Sequence, residues 1–326
     1  FFEECCRKNF LTEALVGNKV YISRSQFPKG MVAGEAALEK ELKNNGYYIV
    51  YPEKMPFYDQ LKVMRGADVV VGVSGSALHN IIFLDEPPKK IIEIQRRGRS
   101  NGTQKIINKA KGVVSQSIYA ILDSSSTKSS ASVKMDAKEL SEKLKTFTEG
   151  SRVYLPAQEY IDREYEALIS YESIRDVINK TPDHMVKEVF DFDDIDAIKN
   201  LCDFRSFSAL NFYMGRLYAC FEEYEKANEN FRAAIVSSPR NAVYKFYYAK
   251  FCAKNSDYIS ALEWVSRALD LDAENDNYKK IKLECLEKIG AYREALDFAT
   301  SFNQSSSLLS YVEKTVERIE GKLKAI

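Results

Sequence analysis

One loop of this chain carries the residue types that hold an anion. Gly72-Val73-Ser74-Gly75-Ser76-Ala77-Leu78-His79-Asn80 follows the most hydrophobic strand-like run, Asp68 to Val73, and opens a short helical stretch, Ser76 to Leu84. Two glycines let backbone approach a ligand closely. The free N–H groups of a helix start point outward with about half a positive charge, which suits a diphosphate. A glycine turn between strand and helix also occurs for packing alone, so its neighbours decide its meaning. Arg24 ends an earlier strand, where a guanidinium can reach the same crevice and pair with phosphate. Glu93 lies inside the strand after the loop and needs a partner there, because a lone buried carboxylate is costly. His79 sits one turn into the helix, where the macrodipole keeps an imidazole neutral and able to donate one hydrogen bond; a satisfied histidine at a helix start fits equally well.

The elements that must position these groups alternate in type. Lys19 to Ser23 reads as a strand, Gly34 to Asn45 as a helix with Ala37, Leu38 and Leu42 inward, and Tyr47 to Tyr51 as a second strand. Pro56 suits the start of a helix carrying Phe57, Leu61 and Met64 on one face. After the Asp68–Val73 strand and the glycine loop come a strand from Lys90 to Gln95, a helix from Thr103 to Lys111, and a fifth strand from Ser117 to Asp123. The Ser-rich run Ser124 to Ser132 then forms a mobile loop. A closing helix runs from Asp136 to Phe147, with Asp136 and Glu139 at capping-box spacing. Five β/α repeats in about 150 residues imply an α/β, doubly wound parallel sheet of Rossmann type, whose ligands sit beyond the carboxyl ends of its strands.

The order of short motifs narrows this further. Tyr21-Ile22-Ser23-Arg24-Ser25, Glu35 with Glu41-Leu42, Val50-Tyr51-Pro52-Glu53, and Phe57 with Gln60 come first. Ala67-Asp68-Val69-Val70-Val71-Gly72, Gly75 to Asn80, Phe83-Leu84 and Ile92-Glu93-Ile94 follow in sequence. The stretch from about Lys19 to Phe147 resembles glycosyltransferase family 61, including bacterial members of capsular polysaccharide synthesis. The resemblance implies the C-terminal, nucleotide-sugar-binding lobe of a GT-B-like enzyme. It implies inverting, metal-independent transfer to a glycan acceptor, with a nucleotide-diphosphate sugar as donor and no further cofactor. It also places Arg24, Gly75, Ser76 and His79 along the donor diphosphate, with Gly72, Gln60 and Glu93 beside them. Acceptor contacts and the general base belong to the family's N-terminal lobe. Only eighteen residues precede Lys19, so no catalytic residue is assigned, and the isolated chain is expected to transfer sugar slowly or not at all.

The last third of the chain repeats. Tyr224, Tyr258 and Tyr292 lie 34 residues apart, each followed three positions later by an alanine: Ala227, Ala261 and Ala295. Gly215, Ala249 and Leu283 share one register position, as do Ala234 and Ala268, and Pro239 aligns with the turn at Ala273. This period, with small residues at close helix contacts, resembles the tetratricopeptide repeat from about Ser208 to Phe302. Tyr218, Phe221, Phe231, Tyr248 and Trp264 fill the space between hairpins, and Leu308 to Leu323 caps the open end. Phe302 stands where a small residue is usual. The expected organisation is therefore a nucleotide-sugar-binding lobe over 1–150, a polar helical connector over 151–205, and an all-α repeat solenoid with a capping helix over 206–326. Such arrays present a concave face to a protein partner or pack on a neighbouring domain.

Composition excludes several classes. Lys+Arg and Asp+Glu are both 47, so nucleic acid and anionic membrane surfaces are not favoured partners, and membrane association is peripheral at most. No run approaches a spanning helix. The chain opens Phe1-Phe2-Glu3-Glu4, without an initiating Met or an export signal, so the start reads as a cut edge. The six cysteines show no CxxC pairing, which suits a reducing compartment, expected to be the cytoplasm. Cys220, Cys252 and Cys285 fall in amphipathic helices as small buried thiols. Asn101-Gly102-Thr103 is a chance match to a glycosylation acceptor. Asp191-x-Asp193 and Asp270-x-Asp272 echo a metal-binding pair but lie outside the α/β part, where aspartates cap helices. The competing readings are a non-catalytic interaction scaffold with a degenerate nucleotide-binding lobe, and a chain that assembles with a separately encoded lobe.

Overall fold

A computed structural model describes residues 18–96, 102–122, 131–145, 153–302 and 308–324. These form two compact units. One runs to Pro182 and includes Phe190–Phe207; the other holds Asp183–Val189 and everything from Ser208 onward. The expectations that fall on Cys5, Cys6, Asn101 and Ser124 to Ser130 lie outside the described residues.

Among the described residues of the first unit the strands are, in order, β1 (Lys19–Ile22), β2 (Val32–Ala33), β3 (Tyr48–Val50), β4 (Val69–Val73), β5 (Lys90–Ile94), β6 (Val114–Ile118), β7 (Ile121–Leu122) and β8 (Val133–Met135). Five of them make one parallel sheet, ordered β3-β1-β4-β5-β6. Helices α1 (Glu35–Asn44), α2 (Phe57–Met64) and α3 (Gly102–Ala110) connect them. On one face Val20, Ile22, Val50, Val70 and Ile91 pack with Leu61, Met64, Leu78, Ile81 and Ile107. On the other, Tyr21, Val71, Val73, Ile92 and Ile94 are also buried. Burial on both faces is why these strands read as unbroken apolar runs. The chain leaves β1 for β3 on one side and returns to β4 on the other. The carboxyl ends of β1 and β4 therefore bound the point where the winding reverses, the usual ligand position of such sheets.

The five-strand parallel sheet stands as expected, but its last strand is displaced in sequence. Ser117 to Asp123 was the expected fifth strand; the sheet instead takes Val114–Ile118, and the chain breaks at Tyr119 before β7. β7 belongs to a second, three-stranded sheet, ordered β2-β8-β7. Strands of two or three residues carry no readable period. Helix α4 (Ala137–Lys145) is capped by Asp136, whose Oδ1 accepts the Glu139 N–H at 2.9 Å.

Much of the stretch expected to be a connector is built into this unit. Helix α5 (Gln158–Ile178) buries Ile161, Leu168, Tyr171 and Ile178. Its Glu164 accepts the Gly34 N–H at 2.7 Å and pairs with Arg205, both side chains being almost fully buried. Arg205 Nη2 also donates to the Val32 carbonyl at 2.8 Å. The short α6 (Val186–Val189) belongs to the second unit, and α7 (Phe192–Asn200) returns to the first. Asp191 heads α7 in a full capping box with Asp194, which accounts for an aspartate at that position.

The second unit is a run of helical hairpins: α8 (Ser208–Cys220) with α9 (Tyr224–Ser237), α10 (Ala242–Lys254) with α11 (Tyr258–Leu269), and α12 (Asp276–Lys288) with α13 (Tyr292–Ala299), followed by α14 (Leu309–Lys324). First helices start at Ser208, Ala242 and Asp276, and second helices at Tyr224, Tyr258 and Tyr292, so the structure repeats every 34 residues. The turn inside each hairpin places one residue in the left-handed region at the same interval: Glu222 (φ 64°), Ser256 (φ 63°) and Gly290 (φ 79°). Gly215 lets α8 and α9 close up, since a Cβ there would stand 3.1 Å from the Phe231 ring. Phe212 stacks on Tyr244 at 4.6 Å between the first two hairpins, whereas Tyr248 and Trp264, expected between hairpins, meet at 5.3 Å inside the second one. Cys252 and Cys285 are buried, which pushes both thiols up to about 12, where a thiol is unreactive. No helix among the described residues is long and apolar enough to cross a membrane.

Candidate anion site at the carboxyl ends of β1 and β4

Two carboxylates of α1 hold the turn after β1. Glu35 and Glu39 lie one helical turn apart and reach the same segment. Glu35 Oε1 accepts from the Arg24 backbone N–H at 2.9 Å and from the Tyr21 hydroxyl at 3.0 Å. Glu39 accepts from the Ser23 hydroxyl and, at 2.7 Å, from the Tyr51 hydroxyl. The Ser25 N–H donates to Ser23 Oγ at 2.9 Å, and the Phe27 N–H returns to the Arg24 carbonyl at 2.9 Å. The backbone at Ser23-Arg24-Ser25 is thereby fixed from below, and the Arg24 side chain leaves it from a defined origin.

The Arg24 guanidinium is much less occupied. Its Nη2 makes one long bond to the Lys29 carbonyl, 3.3 Å, and its Cζ lies 5.2 Å from the Phe27 ring centre. Nε is buried without a partner. Among the described residues no carboxylate stands within ion-pair distance of it. The Glu53 carboxyl feels its charge, although desolvation by its surroundings holds that carboxyl above its ordinary range. A cation held on a fixed backbone without a bound counter-charge is a ready partner for an anion.

Across the crevice, Gly75 faces this guanidinium. A Cβ on Gly75 would stand 2.8 Å from Arg24 Nη1, so glycine is what lets the two loops meet. Its backbone is extended (φ 176°), a conformation any residue adopts; the requirement is space. Gly72 has another job. It pairs in register with Ile22 and Glu93 inside the sheet, and a Cβ there would stand 3.2 Å from Ile22 and 3.3 Å from Leu78. Gly72 therefore lets the segment after the loop lie on β4, one layer below the crevice. That segment, Ser76–Phe83, is a 3₁₀ helix with Leu78 and Ile81 buried. Ser76 at its start is exposed.

The other expected site residues fall around this point in different ways. His79 is half-buried on the 3₁₀ helix, and burial lowers its pKa, so the neutral ring is favoured. Gln60 spends both amide hydrogens on carbonyls of Pro52 (2.8 Å) and Met55 (3.1 Å), while its Oε1 accepts from Asn80 Nδ2 at 3.0 Å. It braces the loop after β3 against the 3₁₀ helix. Glu93 is buried beside Gln95, whose Nε2 donates to Glu93 Oε2 at 2.6 Å. Burial raises the Glu93 pKa, partly offset by Gln95 and by the charge of Lys105. Arg24 and Gly75 come together; Gln60, Gly72 and Glu93 support the surrounding framework.

Arg96 was missed by sequence reasoning. It follows β5 as Arg24 follows β1, its backbone N–H donates to Ser74 Oγ at 3.3 Å, and its Nη2 donates to the Ala131 carbonyl at 2.6 Å. Its guanidinium lies 2.9 Å from where a Gly30 Cβ would be. The rule that singled out Arg24, a cation just past the carboxyl end of a buried strand, applies equally here. Glu35 and Glu39 were hidden for another reason: acidic residues spaced i, i+4 on a helix read as a solvated face.

Comparison with known proteins bears on this region. The family model described as Glycosyltransferase 61 matches residues 1–92, a stretch that contains Arg24, Gln60, Gly72, Gly75, Ser76 and His79 and ends one residue short of Glu93. No curated protein matches the chain.

Proposed function

We propose that the first unit binds the diphosphate of a nucleotide sugar between Arg24 and the Ser74–Ser76 turn, and serves sugar transfer to a glycan acceptor. The observation that carries this reading is the approach of the Arg24 guanidinium to Gly75, at the reversal point of a doubly wound sheet, within the stretch that resembles the glycosyltransferase family. Transfer displaces a nucleoside diphosphate from the anomeric carbon, and negative charge grows on the leaving oxygen as that bond breaks. A fixed guanidinium and outward backbone N–H groups stabilise such charge without reorganising at the moment of reaction. Synthesis of a capsular or other surface polysaccharide is the setting that the family resemblance suggests. The hairpins of the second unit, with their 34-residue interval and with Gly215 and Ala249 at the close helix contact of the first two, fit tetratricopeptide-type repeats, and their role in this reading is to engage a protein partner.

Calorimetric titration with uridine and guanosine diphosphates tests the assignment. One charge-assisted contact is worth about 1.5–3 kcal/mol, so Arg24→Ala weakens binding by roughly 10- to 100-fold. Gly75→Val fills the space that Arg24 Nη1 uses and produces a loss of similar size, while the extended backbone lets the fold persist. Equal affinity of wild type and Arg24→Ala, or no nucleotide binding at all, overturns the reading.

A further inference from the structure

We propose that Glu35 is a positioning residue for the anion held by Arg24, and that it takes up a proton from solvent when that anion binds. The inference rests on the donor-site reading above and deepens it. Glu35 is 0% exposed, and one carboxyl oxygen carries both the Arg24 N–H and the Tyr21 hydroxyl. The other, Oε2, is buried with no hydrogen-bond partner. A carboxylate in that setting is costly, because half of its charge is neither solvated nor bonded. It also bonds directly to the backbone from which Arg24 reaches the site.

The groups around Glu35 come from every element packed on it. Burial raises its pKa most, and the negative charge of Glu39 on the same helix raises it further. The Arg24 N–H, the charge of Arg205 and the Tyr21 hydroxyl pull it down, and the balance is about 7. Tyr51, beyond β3, is held protonated by burial and by bonding to Glu39, so it adds no charge near neutral pH. A diphosphate docking on Arg24 brings a further negative charge toward Glu35, beside that of Glu39, and so favours the neutral carboxyl. Proton uptake and anion binding are then linked: whatever the anion adds to Glu35's proton affinity, the proton adds to the site's anion affinity. Either partner therefore strengthens the hold of the other.

The probe is uridine diphosphate glucose, whose diphosphate diester does not itself titrate near neutrality. Titrating the full chain in two buffers of different ionisation enthalpy counts protons taken up per ligand bound. Wild type takes up a fraction of a proton near neutral pH, and its affinity falls about three- to tenfold as pH rises from about 6 to about 8. Glu35→Gln keeps the acceptor for Arg24 and Tyr21 but cannot titrate, so its uptake is nil and its affinity is flat over that range. Glu39→Gln removes a charge that raises the Glu35 pKa, and moves the uptake window to lower pH without abolishing it. A purely structural Glu35 would leave uptake unchanged in both variants. Binding by wild type with no uptake, or uptake that survives in Glu35→Gln, overturns the inference alone. Absence of binding by wild type overturns the donor-site reading and this inference with it.

Discussion

Arg24 owes its availability to the residues beneath it. Its backbone is held by Glu35, and the neighbouring Ser23 is held by Glu39, so the guanidinium needs no partner of its own to stay at the mouth of the crevice. This arrangement has a cost that pH exposes. The Glu35 carboxyl titrates at about 7 in the fold against 4.5 ordinarily. Between those values the folded state holds a proton that the unfolded state has lost. Its contribution is therefore complete below about 4.5 and is lost as pH rises through about 7. Glu35→Gln is expected to gain stability relative to wild type across that window, by on the order of 3 kcal/mol; a stability difference that stays constant across it contradicts this. The approach of Arg24 to Gly75 was legible in the sequence, because a cation and a glycine just past buried parallel strands share one end of the sheet. The role of Glu35 was not: it shares the inward face of Leu38 and Leu42, but nothing in the local sequence says which backbone and hydroxyl groups an acid on that face will meet.

At the scale of elements, the hairpins show how far a repeat can be read. The 34-residue tyrosine interval placed all three hairpins, because each turn and close contact recurs at the same register. The turns also differ in a way that can be measured. Gly290 adopts its left-handed conformation freely, whereas Ser256 and Glu222 carry side chains there, at about 1 kcal/mol each. Ser256→Gly is expected to raise the melting free energy by about 0.5–1 kcal/mol and Gly290→Ala to lower it by a similar amount; denaturant titration of both variants decides it. Farther along, α14 is clamped to α12 through Glu287, which accepts from Arg318 at 2.5 and 2.7 Å and from Lys322 at 2.8 Å. The Arg318 hydrogen bonds lead in lowering this carboxyl to about 2, against the effect of burial. The clamp is complete above about 4.5 and is lost as pH falls toward 2. Glu287→Gln, with both cations half-exposed, is expected to cost about 1 kcal/mol near neutral pH and to lose that deficit in acid. A deficit that persists in acid would assign Glu287 to packing instead. The small second sheet escaped reading for the opposite reason to the repeats: β2, β7 and β8 are held by pairing between distant segments, which leaves no local trace.

The whole molecule is two units, one that resembles a sugar-transferring lobe and one that repeats. Residues from Ser208 onward contain all of the hairpins, and each buried cluster there, such as Leu283, Leu286, Ala295, Val312 and Ile319, is made within that stretch. A fragment beginning at Ser208 is therefore expected to give a helical circular dichroism spectrum and a cooperative melt. It would melt somewhat below the full chain, since it lacks Asp183, whose carboxylate binds Lys250 at 2.7 Å and Arg216 at 3.3 Å. A strand-rich or featureless spectrum would contradict this. Residues 158–178 show the limit of reading organisation from composition. Their polar surface suggested a connector, but Ile161, Leu168, Tyr171 and Ile178 fall at helical spacing and close the α/β unit.

The proposed seat of a nucleoside diphosphate between Arg24 and the turn after β4 is tested at the atoms concerned by a nuclear magnetic resonance titration of backbone amides with uridine diphosphate. The amides of Ser74, Gly75, Ser76 and Ala77 are expected to shift together with the Arg24 side chain, along one saturation curve. Arg24→Ala is expected to move that curve to roughly 10- to 100-fold higher nucleotide concentration. Shifts that leave those amides still while others move, or a curve unchanged by Arg24→Ala, would contradict the proposed seat.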